Sequence, residues 1–111
     1  MAWRPSSSKS LAAAVIDYGR DFALERSALP ASLNVVVDEI EETLRQKPVE
    51  PTDHLQLGAD EGTMLIRRRG GVYVAFQRHS HNPPPSYLVR LWYCGTYRES
   101  GSRVIYDFEE G

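Results

Sequence analysis

The chain has one cysteine, Cys94, in 111 residues, and beyond Lys47 every cation is an arginine. A lone cysteine excludes an intrachain disulfide and suits a reducing compartment. No apolar run reaches the roughly 20 residues of a membrane span. The opening MAWRPSSSKSLAAAVIDYG carries only a short apolar stretch, broken by Asp17, so neither a signal peptide nor an anchor is expected, and the protein is expected to be soluble and cytoplasmic. No C-x-x-C or H-E-x-x-H spacing is present, and His54, His79 and His81 do not make a ligand signature, so no metal site is expected. There is no G-x-S-x-G, and Cys94 on an apolar strand reads as core rather than nucleophile. Gly70–Gly71 lacks the further glycines and the lysine of a phosphate loop, and no cofactor is expected.

Charge is distributed unevenly behind a net value of −2. Residues 35–61 hold eight carboxylates (Asp38, Glu39, Glu41, Glu42, Glu50, Asp53, Asp60, Glu61) against Arg45 and Lys47. Residues 63–106 hold seven arginines (Arg67, Arg68, Arg69, Arg78, Arg90, Arg98, Arg103) against Glu99 alone. Arginine suits planar, bidentate contact with phosphate or carboxylate, so the second block points to an anionic partner. The alternative is that the two blocks neutralise each other across one domain.

Periodicity predicts a single α+β domain over residues 1–111, an N-terminal helical hairpin packed on a four-stranded, mostly antiparallel sheet. Trp3 and Arg4 are candidates for a short edge strand ended by Pro5. Leu11, Val15, Tyr18 and Phe22 recur at four-, three- and four-residue steps, which predicts a helix over about 8–26. Pro30 opens a second helix over about 30–47, with Leu33, Val36 or Val37, Ile40 and Leu44 on one face, and Lys47–Pro48 closes it. Residues 48–62 read as mostly loop with Leu55 and Leu57 tucked in. The sheet is expected over about 63–108. Thr63–Arg69 and Val72–His79 flank Gly70–Gly71, a hairpin signal that sets Arg69 opposite Val72, Arg67 opposite Val74 and Leu65 opposite Phe76. The proline-rich 80–86 is a loop. Tyr87–Cys94 is a third strand, with Leu88, Arg90 and Trp92 alternating against Tyr87, Val89, Leu91 and Tyr93. Gly95 marks a bulge or bend, and Arg103–Phe108 is a fourth strand.

The cluster with chemistry in it is Arg67, Arg68, Arg69, Arg78, Arg90 and Arg98 among Tyr73, Tyr87, Trp92, Tyr93 and Tyr97. Single-stranded RNA is commonly held this way, cations tracking phosphates while bases stack on rings. Arg68, Arg69, Arg90, Tyr73 and Trp92 are the candidate nucleic-acid contacts. The acidic tail (Asp107, Glu109, Glu110) either folds back on the arginines or mimics a nucleic acid.

Taken together, LAAAVIDYGRDFA, LNVVVDEIEETLRQKP, GTMLIRRRGGVYVAFQRH and YLVRLWYCGTYR resemble the RelE/ParE toxin superfamily of bacterial toxin–antitoxin pairs over about residues 9–98. The resemblance implies a first strand ahead of the helical hairpin, which Trp3–Arg4 would supply, then a three-strand meander. It implies an antitoxin partner and one of two targets. RelE-like members cleave messenger RNA in the ribosomal A site, which would give catalytic roles to Arg67 or Arg69, Arg78, Tyr97 and Arg98. ParE-like members bind DNA gyrase without a catalytic set. Two other readings stay open: a non-enzymatic protein-binding module such as an immunity or inhibitor protein, and a cystatin-like or NTF2-like cone with Tyr73, His79 or Trp92 lining a cavity. No membrane partner is expected.

Overall fold

The computed structural model describes residues 13–58, 62–80 and 85–110. The architecture is α+β. Strand β1 (Ala14–Tyr18) leads into helix α1 (Phe22–Ser27) and helix α2 (Ala31–Gln46). Strands β2 (His54–Gly58), β3 (Gly62–Arg69), β4 (Val72–Ser80), β5 (Tyr87–Ser100) and β6 (Arg103–Tyr106) follow, and α3 (Asp107–Glu110) is a terminal helical turn. The sheet runs β1-β5-β4-β3-β2, with β6 paired to the far end of β5. It is mixed, because β1 lies parallel to β5 while the other pairs are antiparallel.

The predicted first helix is therefore corrected. Ala-Val-Ile-Asp-Tyr is rich in β-branched and aromatic residues, and it pairs with β5 from Ala14↔Tyr87 to Tyr18↔Leu91. Helical structure begins only after Gly19, where a Cβ would come within 2.6 Å of the Trp92 ring. Val15 and Tyr18, read as one helical stripe with Phe22, are each 49 % exposed, whereas Phe22 is buried. The Trp3–Arg4 strand falls outside the described residues, as does the 81–84 part of the proline loop. Residues 48–62 are corrected too: His54–Gly58 pairs with β3. The placement of the Leu55 and Leu57 side chains lies outside the described residues.

The second helix is as expected, with Val37, Ile40 and Leu44 fully packed. Asn34 locks the helical hairpin: its amide donates to the carbonyls of Arg26 and Leu29 at 3.2 and 3.0 Å, and its oxygen accepts from Arg26 Nε at 2.7 Å. The hairpin covers one sheet face, built from Val72, Val74, Phe76, Val89, Leu91 and Cys94. Gly70 and Gly71 both take positive φ, as a two-residue hairpin turn requires, and the expected β3–β4 register holds.

Strand β5 departs from simple alternation. Ala75 pairs with Tyr93 but Phe76 pairs with Leu91, so Trp92 is the extra residue of a bulge. The bulge is at Trp92 and not at Gly95, and it places Trp92 and Tyr93 on the same face. Beyond the end of β1, the outer edge of β5 is closed by side chains. The Cys94 amide donates to Glu25 at 3.1 Å and the Thr96 amide to Asp107 at 3.1 Å. Gly95 between them leaves room for this, since a Cβ there would meet the Asp107 carboxylate and approach the Tyr73 ring to 2.8 Å. The chain after β6 turns helical at Asp107 rather than continuing as strand to Phe108.

Candidate nucleic-acid interface

Residue parity along the Gly70–Gly71 hairpin sorts the arginines onto two faces. Arg67 and Arg69 lie opposite Val74 and Val72, under the helices, while Arg68 lies opposite Tyr73 on the other face.

The helix-side arginines are consumed by the acidic segment. Arg67 is buried, donating to both Asp53 oxygens at 2.8 Å and to the Lys47 carbonyl at 2.8 Å, with its guanidinium over the Phe76 ring. Arg78 donates to the Pro48 carbonyl at 2.9 Å and lies 3.9 Å from Asp53. Arg69 pairs with Glu39 of α2 at 2.9 Å in water. Arg67 and Arg78 tie the segment after α2 to the sheet, and Arg69 meets the middle of the helix. Catalytic roles expected for Arg67 and Arg78, and RNA contact expected for Arg69, would have to be played from beneath or beside α2.

A second polar knot joins β1 to both helices. Buried Glu41 accepts from the Tyr18 hydroxyl and from Arg45 at 3.0 Å, and Arg26 reaches it at 3.4 Å. Burial, followed by the Glu41 contact, raises the Tyr18 pKa.

The opposite face carries a different set. Arg68 contacts exposed His54 of β2 and lies 5.6 Å over the Tyr97 ring. Arg90 donates to Asp17 of β1 at 2.9 and 2.5 Å and lies 5.6 Å over the Trp92 ring. Hydrogen bonding from Arg90 holds the Asp17 carboxyl below its ordinary range. Trp92 Nε1 donates to Gln77 at 2.8 Å. Trp92, Tyr93 and Tyr97 are half-buried here and pack against Met64, Ile66, Tyr73, Ala75 and Tyr106. Arg98 lies opposite Ile105 on β6, on the alternate side from Tyr97.

Tyr73, expected as a base contact, is covered. Its hydroxyl donates to Asp107 at 3.0 Å and its ring meets Tyr106 and Phe108 edge-on. Desolvation, reinforced by Asp107, raises its pKa far above the ordinary phenol range. Burial also raises the Glu25 carboxyl and pushes the Cys94 thiol up to about 12. Asp107 serves Tyr73 and Thr96, and Glu109 accepts the Tyr106 amide at 2.8 Å. Tyr73 lies beneath the tail, Trp92 is half-buried against the same cluster, and His79 is exposed.

Of the sequence-predicted set, the structure brings Arg68, Arg90, Trp92 and Tyr97 to one face and separates Arg67, Arg69 and Arg78 from them. Tyr93, named in the same cluster, shares that face, and His54 and Gln77 join it without having been singled out. The signal for His54 was the alternation in His-Leu-Gln-Leu-Gly, which fits a strand better than a loop. Among the described residues no group of three or more His, Cys, Asp or Glu could hold a metal ion, and no helix is long and apolar enough to cross a membrane. No protein-family model matches the chain, and no curated protein matches it significantly.

Proposed function

We propose that the protein is a RelE/ParE-type toxin that engages RNA or the ribosome through the sheet face turned away from the helices. The observation that carries this reading is the pair of cation–aromatic units on that face, Arg68 over Tyr97 and Arg90 over Trp92. A guanidinium beside a partly exposed ring offers a phosphate contact and a stacking platform together. His54 adds a group able to move a proton beside Arg68. The superfamily's strand ahead of the helical hairpin has a counterpart in β1, at Ala14–Tyr18.

The test is inducible expression in a bacterial host, following growth and protein synthesis. The parent is expected to arrest both, the Arg68→Ala/Tyr97→Ala variant to lose the effect, and Arg69→Ala to keep it. Normal growth at good soluble yield of the parent would overturn the toxin reading. A gyrase-directed reading is favoured by one observation, the neutralisation of Arg67, Arg69 and Arg78 by Asp53 and Glu39, which leaves less cationic surface for RNA. Arrest of growth with translation intact, and loss of DNA supercoiling, would select it.

A further inference from the structure

Tyr73 is the centre of one cross-strand row, Arg68–Tyr73–Gly95, on the sheet face turned away from the helices. Gly95 contributes no side chain, and the C-terminal turn α3 fills the gap that it leaves. The Asp107 carboxylate lies there, one oxygen accepting from the Tyr73 hydroxyl at 3.0 Å and the other from the Thr96 amide at 3.1 Å. Phe108 stacks on Tyr106 with ring centroids 5.3 Å apart and meets Tyr73 edge-on. We infer that α3 is an autoinhibitory strap: the Asp107 carboxylate holds the place of a ligand phosphate, the Phe108 ring that of a base, and both yield when RNA binds. This inference rests on the RNA reading above and names how that site is regulated.

Chemistry, position and attachment each carry it. A hydroxyl and a backbone N–H converging on one carboxylate are a two-donor anion site, and a phosphate accepts the same two bonds. The slot adjoins the candidate interface. Arg68, the register neighbour of Tyr73, lies over Tyr97, and the Tyr97 ring is 6.3 Å from that of Tyr106 at the root of the strap. Asp107 and Glu109 therefore bring negative charge to the face whose arginines would attract phosphate, and they repel the ligand while they stay. The strap is lightly held. It is a single turn of four residues, too short to persist as a helix by itself. Phe108 is 51 % exposed, Asp107 and Glu109 are exposed, and only Tyr106 at the root is buried. Strap and ligand compete for Tyr73 and Thr96, so the apparent affinity scales with the fraction of molecules whose strap is lifted.

The test uses the full chain and a fluorescein-labelled oligouridylate of about 10 nucleotides, within the range of single-strand-binding surfaces, read by anisotropy. Asp107→Ala frees Tyr73 and Thr96 and is expected to bind about tenfold more tightly than the parent, as for a strap lifted in about one parent molecule in ten. Phe108→Ala alters a half-exposed ring and so spares the core. It is expected to tighten binding several-fold, and it keeps the test decisive if Asp107→Ala folds poorly. Glu99→Gln removes an equal charge from the exposed end of β5 and is expected to bind as the parent does. NMR relaxation of the parent gives a readout that a purely structural turn would not move. At saturating oligomer the Phe108 and Glu109 amides are expected to gain fast motion while those of β4 do not. If the parent binds but neither strap variant binds more tightly, or the two amides stay rigid at saturation, the strap is wrong and the RNA reading stands. A gain in Glu99→Gln equal to that in Asp107→Ala would also overturn it, in favour of bulk charge. If neither the parent nor a strap variant binds, the RNA reading falls and this inference with it.

Discussion

Arg67 shows how far a residue's role depends on what lies opposite. Its type and its place in the Arg67-Arg68-Arg69 run suggest a surface cation, yet it is 6 % exposed and forked onto Asp53. Breaking a buried pair strands a charge, so Asp53→Asn is expected to cost about 3–5 kcal/mol of stability. The measurement is urea unfolding, and adding Arg67→Met should recover a large part of the loss, as an apolar side chain needs no partner. Glu25 gives a pH dependence of defined sign. Burial, with Asp107 and Asp21 nearby, raises its pKa, while the Cys94 amide opposes the shift. A carboxyl with a raised folded pKa binds more protons folded than unfolded. Its contribution to stability is therefore fully present below the ordinary glutamate range and declines as pH climbs through the folded value. Glu25→Gln keeps an acceptor for the Cys94 amide and should flatten that decline, raising the urea midpoint at pH 7 relative to the parent but not under acid conditions. An unchanged slope between acid and neutral pH would assign the decline to other groups.

At the scale of elements, β5 is the organiser. It pairs with β4 along most of its length, with β1 at one end and with β6 at the other. Its remaining edge is closed by carboxylates from α1 and from the start of α3, which answers the pairing liability of an exposed strand. Asp107 is thus a strand-edge cap. In Asp107→Ala the Thr96 amide should exchange with deuterium much faster than in the parent, while amides in the centre of β4 keep their protection, as followed by NMR. Equal Thr96 exchange in both proteins would mean that the Asp107 contact does not close the edge. Legibility differed among elements for physical reasons. The 3.6-residue stripe of α2 and the Gly70–Gly71 turn are local signals, and both were readable. The segment Ala14–Tyr18 fits a helical stripe and a strand equally at its apolar positions, and only pairing with β5, more than seventy residues away, decides between them.

Across the whole molecule, the two charge blocks meet in part. Glu39 and Asp53 from the acidic block hold Arg69, Arg67 and Arg78, while Arg68 and Arg90 face away beside aromatic rings. The exposed Arg69–Glu39 pair is worth only about 0–1 kcal/mol, so among these ion pairs the buried Arg67–Asp53 contact is the one that matters for holding the segment after α2 against the sheet. The candidate interface was half visible beforehand: that arginines and aromatics share adjacent strands follows from alternation and a glycine turn. Which of them share a face does not, because both faces of the β3–β4 hairpin carry apolar residues and the Trp92 bulge reverses parity partway along β5. The α+β class, the second helix, the β3–β4 register and the arginine-rich character of the C-terminal half are legible from the residues alone, since each rests on composition or on contacts between near neighbours. That residues 14–18 are strand, that α2 lies over the Arg67 face and that Asp107 caps β5 emerges only in the folded chain. Those outcomes depend on pairings between distant segments, whose energies no local pattern records.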